Sequence, residues 1–236
     1  MRHLSRMTAP HWLALYAGLL VAWTVVFLIG VDNGWAMALH DMFRLPVDAV
    51  GVAGAFAMWL IMSAAMMLPT ALPAFATHDD IADTQGTGGG ARLVAGYLVV
   101  WVGFSGVAAV AQLVLSRAGV LEGAWLAAAL LTLAGAYQFS AVKDACLSKC
   151  RQPLTFFMNH WDEGPLHMGL RLGATCLGCC WALMTLGLVC GAMNLGFMAL
   201  ATLLMVLEKL TRGAWVPRAI GLACLTGAGY LIGGTI

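Results

Sequence analysis

Six of the seven cysteines fall within residues 137–193, and their spacing suggests ligands for a soft metal ion. One pair, Cys146 and Cys150, stands in the sequence CLSKC. The second group stands in CLGCCW and comprises Cys176, Cys179 and Cys180. Residues three or four apart are neighbours on one face of a helix, so each group could present its thiols together. Four thiolates would suit Zn(II), whereas two or three would suit Cu(I).

Methionines in the second apolar segment of the chain add a row of thioether sulfurs. The sequence MWLIMSAAMMLP contains Met58, Met62, Met66 and Met67, and the first three recur every four residues on one helical face. Thioethers are weak ligands that select Cu(I) over hard cations. The competing explanation is packing, because methionine fills irregular gaps in apolar cores. Beside a cysteine cluster, Met62, Met66 and Met67 become candidate copper ligands.

The composition is that of a membrane protein. Of the 236 residues, 61% are hydrophobic and 10% are charged, and the mean hydropathy is +0.87. Soluble domains carry roughly 25% charged residues. Long apolar segments between short charged loops predict an all-α, polytopic helical protein. It would form a single transmembrane domain over residues 1–236, with the lipid bilayer as its partner. The net charge of +1 argues against nucleic acid as a partner.

Seven apolar segments predict about seven transmembrane helices, since most reach the ~20 residues needed to cross the hydrocarbon. The segments cover about residues 11–30, 50–76, 93–115, 120–139, 168–189, 193–207 and 217–234. With the N-terminus inside, ten Lys and Arg residues lie on the cytoplasmic side, and only Arg44 and Arg117 lie outside. Cytoplasmic loops carry the excess of basic residues, so we expect a multi-pass protein with a cytoplasmic N-terminus.

Residues 140–166 are predicted to form a cytoplasmic loop with a short helix in the membrane interface. The apolar residues of that short helix are Leu154, Phe156, Phe157 and Trp161. CLSKC would lie near the start of this loop, where the cytoplasm keeps thiols reduced. Basic side chains near CLSKC would favour the thiolate form of its cysteines. These side chains are Lys143, Lys149 and Arg151. Adjacent Glu208 and Lys209, at the end of the sixth segment, are explained most simply by ion pairing.

The two cysteine groups are expected to meet. Counted from Leu172, Cys176 and Cys180 would lie roughly 6–12 Å below the interface at ~1.5 Å per residue. Cys146 and Cys150 could reach that depth only if their loop folds inward. In that case Cys146, Cys150, Cys176 and Cys180 would converge on one metal ion. Cys179 is the alternative fourth ligand. A residue three positions after Cys176 lies on the same helical face as a residue four positions after it.

Common enzyme signatures are absent from the sequence, which has no P-loop, no G-x-G-x-x-G after a strand and no HExxH. We therefore predict no catalytic residues, and a binding protein is favoured over an enzyme. Cys190 and Cys224 are expected to act only as small apolar residues in packing.

Three sequence blocks carry a family resemblance. They are W-x2-M-x3-MM-x-P at Trp59–Pro69, YQ-x-S-x2-K-x2-CL-x2-CR-x-P at Tyr137–Pro153, and C-x-GCCW-x2-M at Cys176–Met184. GxMN and EK follow the third block, at residues 191–194 and 208–209. In these blocks the chain resembles a bacterial family of predicted metal-binding integral membrane proteins of unknown function. That family often has Ser-Pro where this chain has Ser140-Ala141.

The resemblance implies metal binding in the bacterial inner membrane, and it implies no established transport or catalytic activity. Our first hypothesis is a protein that binds Cu(I) through Cys and Met ligands for transport or delivery, with Zn(II) as the other metal considered. A metal chaperone or a membrane complex would then be its protein partner. The alternatives are a thiol redox protein that uses Cys179 and Cys180 with Cys146 or Cys150, a protein for Hg(II), and a structural subunit of a membrane complex.

Overall fold

A computed structural model describes residues 10–30, 47–121, 123–190, 194–211 and 213–234. All regular secondary structure within these ranges is helical, so the predicted all-α fold is confirmed. The α-helices are α1 (Pro10–Gly30), α2 (Val47–Thr84), α3 (Gly90–Arg117), α4 (Ala124–Tyr137), α5 (Ala141–Arg151), α6 (Pro153–His160), α7 (Pro165–Thr185), α8 (Gly187–Cys190), α9 (Leu195–Leu210) and α10 (Trp215–Gly233). A 3-10 turn, Trp161–Glu163, joins α6 to α7. Arg44 and the predicted start of the sixth segment at residue 193 lie outside the described residues.

Four helices in the described ranges are long and apolar enough to cross a membrane. They are α2 from Gly51 onward, α3, α7 and α10. The helices α4 and α5 are bent by 64° at a short break, and they make a fifth candidate if they form one broken span. The predicted count of seven spans is therefore not confirmed, although each predicted segment does contain a helix. The cytoplasmic N-terminus stays a prediction.

Glycines set the register between α3 and α7. A Cβ added to Gly96 would overlap the backbone oxygen of Leu166, and one added to Gly169 would overlap that of Leu93. Small residues at such contacts allow membrane helices to approach closely. Residue numbers rise together along this contact, so α3 and α7 run parallel. A short turn joins α2 to α3, and α2 runs antiparallel to α3 and α7.

Polar side chains add interhelical hydrogen bonds to this three-helix core. Trp59 of α2 donates from Nε1 to Oε1 of Gln112 in α3 at 2.6 Å. Pro69 lacks the N–H that would bind the backbone oxygen of Ala65, and Trp23 of α1 donates to that oxygen at 2.9 Å. A buried backbone acceptor thereby keeps a partner, and α1 is tied to α2.

The prediction that CLSKC lies in a loop is wrong, because all five of its residues lie in α5. The Ser140 hydroxyl accepts a hydrogen bond from the backbone N–H of Lys143 at 3.1 Å and caps the helix. Asp144 stands in the first turn, and Lys149 and Arg151 stand in the last turn. Both placements favour a helix, because they complement its dipole.

Within residues 140–166 the structure has a short helix, α6, and its place in a membrane interface stays a prediction. Its Phe156 and Phe157 are buried in the core, whereas Leu154 and Met158 are exposed. Because the side chains of Phe156 and Phe157 lie in the core cluster, the segment folds back onto the bundle and does not leave it as an open loop.

Candidate metal centre

Three thiols of α7 form a compact, buried cluster. The sulfurs of Cys176, Cys179 and Cys180 all lie within 4.8 Å of one another. Their spacing of three and four residues places them on one face of α7, and each residue is 2% exposed. Three sulfurs that bind one ion in a plane at about 2.3 Å would be about 4.0 Å apart. Small side-chain rotations could therefore bring the three thiols onto a single ion.

A thioether from α2 joins the thiol cluster. The Sδ atom of Met67 lies 3.6 Å from Sγ of Cys180. Met66 and Met62 are fully buried as well, but Met66 points about 100° away from Met67 around the helix. The sulfur of Met62 packs beside Gly187 of α8. Among the predicted methionine ligands, Met67 is thus the one found in contact with a cysteine sulfur in the described part of the chain.

The helix α5 brings the other cysteine pair to the same cluster. Sγ of Cys150 lies 4.0 Å from Sγ of Cys179. Cys146 faces Gly178 of α7, where an added Cβ would stand only 2.7 Å from the Cys146 sulfur. The glycine therefore leaves the space in which this sulfur lies. Cys146 and Cys150 are half-buried, whereas the thiols of α7 are buried. The expected inward folding is achieved by a helix rather than by a loop.

The α7 cysteines lie past the midpoint of their helix. The helix begins at Pro165, three residues before the start of the predicted segment at about residue 168. Cys176 is therefore eleven residues from the helix start, or about 16 Å at ~1.5 Å per residue. The antiparallel course of α2 places Met67 at the same level, near the middle of its own long helix.

A lysine from α9 supplies positive charge at the cluster. Nζ of Lys209 lies 3.2 Å from Sγ of Cys176 and donates to Oγ1 of Thr70 at 2.7 Å. An ammonium group in this place offsets the negative charge of thiolates in an apolar surrounding, where ionic interactions are strong. Lys209 is thus a positioned counter-ion for the cluster.

Tyr97 of α3 connects the thiol and thioether sides of the cluster. Its hydroxyl donates to the backbone oxygen of Met67 at 3.2 Å and lies 3.4 Å from Sγ of Cys176. Tyr97 is completely buried. Groups that bind the ligands of a metal in this way fix their orientation.

Two of the three basic residues expected to favour thiolates, Lys143 and Arg151, are engaged elsewhere. Nζ of Lys143 lies 2.8 Å from Oε2 of Glu208, and both side chains are almost fully buried. Arg151 donates from Nε and Nη2 to the backbone oxygen of Glu208, at 2.9 and 2.7 Å. Glu208 is therefore ion-paired as expected, but Lys209 instead points to the sulfurs from the other side of α9.

A comparison with known protein families matches residues 56–231 to the family PpoB2, described as copper chaperone. This chain belongs to the PpoB2 copper chaperone family. The matched range contains all eight predicted ligands and also Tyr97 and Lys209. Neither a curated protein nor a solved structure matches the chain. PpoB2 membership and the buried cysteine cluster together point to the binding of a soft metal such as copper, which agrees with the expected metal chemistry.

Proposed function

We propose that this PpoB2 protein binds one Cu(I) ion between α2 and α7 and passes it on to an acceptor. Cys176, Cys179 and Cys180 supply thiolates, and Met67 supplies a thioether. The contact of 3.6 Å between Met67 and Cys180 carries the proposal, because it completes a four-sulfur cluster from two helices. Soft thiolate and thioether donors select Cu(I).

The thioether distinguishes Cu(I) from Zn(II) in this proposal. Structural zinc sites are closed by four Cys or His ligands in a tetrahedron. Here the three thiols of α7 have a methionine sulfur as their neighbour on α2. Zn(II) gains little from such a donor, whereas the softer Cu(I) ion accepts a thioether sulfur beside thiolates.

Cys150 and Cys146 provide a path for the ion out of the cluster. Cys150 touches Cys179, and Cys146 lies one helical turn away from Cys150 on α5. Both residues are less buried than the α7 thiols. Stepwise exchange of thiolate ligands along Cys179, Cys150 and Cys146 would carry Cu(I) toward the surface without releasing it into water.

Cysteine-to-serine variants test the proposed ligands. Cu(I) affinity is measured anaerobically by competition with a chromophoric chelator, on protein purified in detergent. We expect Cys176→Ser, Cys179→Ser and Cys180→Ser each to lose tight binding, and Cys150→Ser to lose less. Cys190→Ser is the matched control, because Cys190 is exposed on α8 and lies outside the cluster. A triple α7 variant that keeps the wild-type affinity would disprove the site.

Thiol redox chemistry is a second candidate, favoured by the 4.0 Å separation of Cys150 and Cys179. Disulfide formation would bring these sulfurs to about 2.05 Å. It would release two protons and two electrons, which an external disulfide of the glutathione type would accept as it is cleaved to two thiols. Mass spectrometry of anaerobically prepared protein distinguishes the functions. Seven free thiols favour copper binding, and a Cys150–Cys179 disulfide favours the redox function.

A further inference from the structure

A cavity of about 680 Å³ opens at the end of α9, next to the sulfur cluster. Its described lining comes from the last turn of α5 and from the end of α9 with the turn that follows. The polar residues of this lining are Ser148, Arg151, Gln152, Lys209 and Thr211. This volume lies within the ~300–1,000 Å³ of small-molecule sites.

Lys209 forms the boundary between this cavity and the buried thiols. Its side chain lines the cavity, and its Nζ lies 3.2 Å from Sγ of Cys176. A molecule in the cavity is therefore separated from a cluster thiol by one lysine side chain. The hydrogen bond from Lys209 to Thr70 holds this side chain in place from the opposite helix.

The charge of the cavity favours an anion. Arg151 and Lys209 are basic, and the described lining contains no acidic side chain. The nearest carboxylate in sequence, that of Glu208, is turned to Lys143 and bound there at 2.8 Å. A free metal cation would be repelled by two positive groups, whereas an anionic molecule would be attracted and concentrated.

We propose that this cavity receives Cu(I) as an anionic complex with a small thiol that carries carboxylates, such as the tripeptide glutathione. The inference rests on the proposed function of the sulfur cluster. Carboxylates of the donor bind near Arg151, and the copper faces Cys176. A cysteine thiol then replaces the donor thiolate on Cu(I), so one Cu–S bond forms for each one broken. The proton lost by the cysteine passes to the departing thiolate, which leaves as a thiol, and the oxidation state of copper does not change.

Transfer rates from two donors test the inference. Stopped-flow mixing under anaerobic conditions compares the Cu(I)–glutathione complex with the Cu(I) complex of 2-mercaptoethanol, which has no carboxylate. We expect faster transfer from glutathione, by about tenfold, and an advantage that shrinks with added salt. Equal rates, or a faster reaction of 2-mercaptoethanol, would overturn the inference.

Substitutions that introduce a charge at Leu210 test whether the faster transfer from glutathione depends on this cavity. Leu210 lines the cavity and is 71% exposed, so its replacement has little effect on folding. Leu210→Glu should slow transfer from glutathione and Leu210→Lys should speed it, relative to Leu210→Gln. Leu154→Glu is the matched control on α6, at 53% exposure and outside the described cavity lining. If Leu154→Glu slows transfer as much as Leu210→Glu does, the site lies elsewhere and the inference is wrong.

Equilibrium affinity separates this inference from the proposed function. The Leu210 variants should keep the wild-type Cu(I) affinity in chelator competition, because the four sulfurs are untouched. A wild-type protein that binds no Cu(I) from the chelator would disprove the proposed function, and the inference with it. Tight Cu(I) binding together with equal transfer rates from the two donors would support the proposed function. It would also show that copper does not enter through this cavity.

Discussion

The sulfur of Met67 contacts the sulfur of Cys180 at 3.6 Å, across 113 residues of sequence. The contact exists because α2 runs antiparallel to α7 and brings Met67 to the level of Cys180. The glycine contacts between α3 and α7 fix that level, and Tyr97 binds both Met67 and Cys176 from α3. Helix register thus determines which methionine meets the cysteines.

Met67→Leu should weaken Cu(I) binding, whereas Met62→Leu should not. Leucine keeps the apolar volume of methionine but removes the sulfur, so packing changes little in either variant. We expect a loss of about tenfold or more at Met67, comparable with other disturbances of metal sites. Chelator competition on the two purified variants measures the difference. Equal Cu(I) affinities of the two variants would indicate that Met67 serves only in packing.

Lys209→Leu should also weaken Cu(I) binding, by roughly 10–100-fold, because the thiolate cluster loses its adjacent positive charge. Leucine removes the ammonium group and adds no thioether that could itself bind Cu(I). Lys149→Leu is the control, since Lys149 is exposed in the last turn of α5, where water and salt screen its charge. The same competition assay applies, and a Lys149 effect as large as that of Lys209 would indicate a general charge effect.

The buried Lys143–Glu208 pair should be far more sensitive to single changes than to a double change. Lys143→Met alone leaves a buried carboxylate without its partner and should cost about 3–5 kcal/mol of stability. Lys143→Met with Glu208→Leu removes both charges and should recover much of that loss. Denaturant unfolding in detergent, followed by tryptophan fluorescence, measures both variants. A double variant less stable than the single one would contradict this expectation.

A further prediction concerns the close packing of α3 against α7. Gly169→Ala would push a methyl group into the backbone oxygen of Leu93, and overpacking of this kind costs about 1–3 kcal/mol. Gly103→Ala on α3 meets nothing within 4 Å and should be neutral or slightly stabilising. Thermal unfolding of the two variants gives the comparison. Because the glycine contact sets the level of Cys180 beside Met67, Gly169→Ala should also weaken copper binding.

The sequence predicted the helices and the grouping of thiols well, because both are local patterns. Apolar segments of sufficient length identified the helices, and spacings of three and four residues identified the shared face of Cys176, Cys179 and Cys180. The start of α5 was missed although a capping serine marks it. Ala141 is the first residue of that helix, where the resembled family often has proline, a residue favoured at this position.

Other features could not be derived from local patterns. The rotation of α2 decides between Met67 and the row of Met58, Met62 and Met66, and that rotation depends on contacts with α3 and α7. Tyr97 gave no signal, because a tyrosine in an apolar helix is ordinary. Lys209 did give a signal, since ionisable residues near membrane helices have partners or functions. Its partner, however, is Cys176 of a different helix, α7.

X-ray absorption at the copper edge of Cu(I)-loaded protein tests the central claim most directly. The proposed site predicts one bound copper per chain with a shell of sulfur atoms only, at about 2.3 Å. The same spectrum of Cys176→Ser should show fewer sulfurs or no bound copper, whereas Cys190→Ser should match the wild type. A wild-type shell made up of nitrogen or oxygen atoms would contradict a sulfur site between α2 and α7.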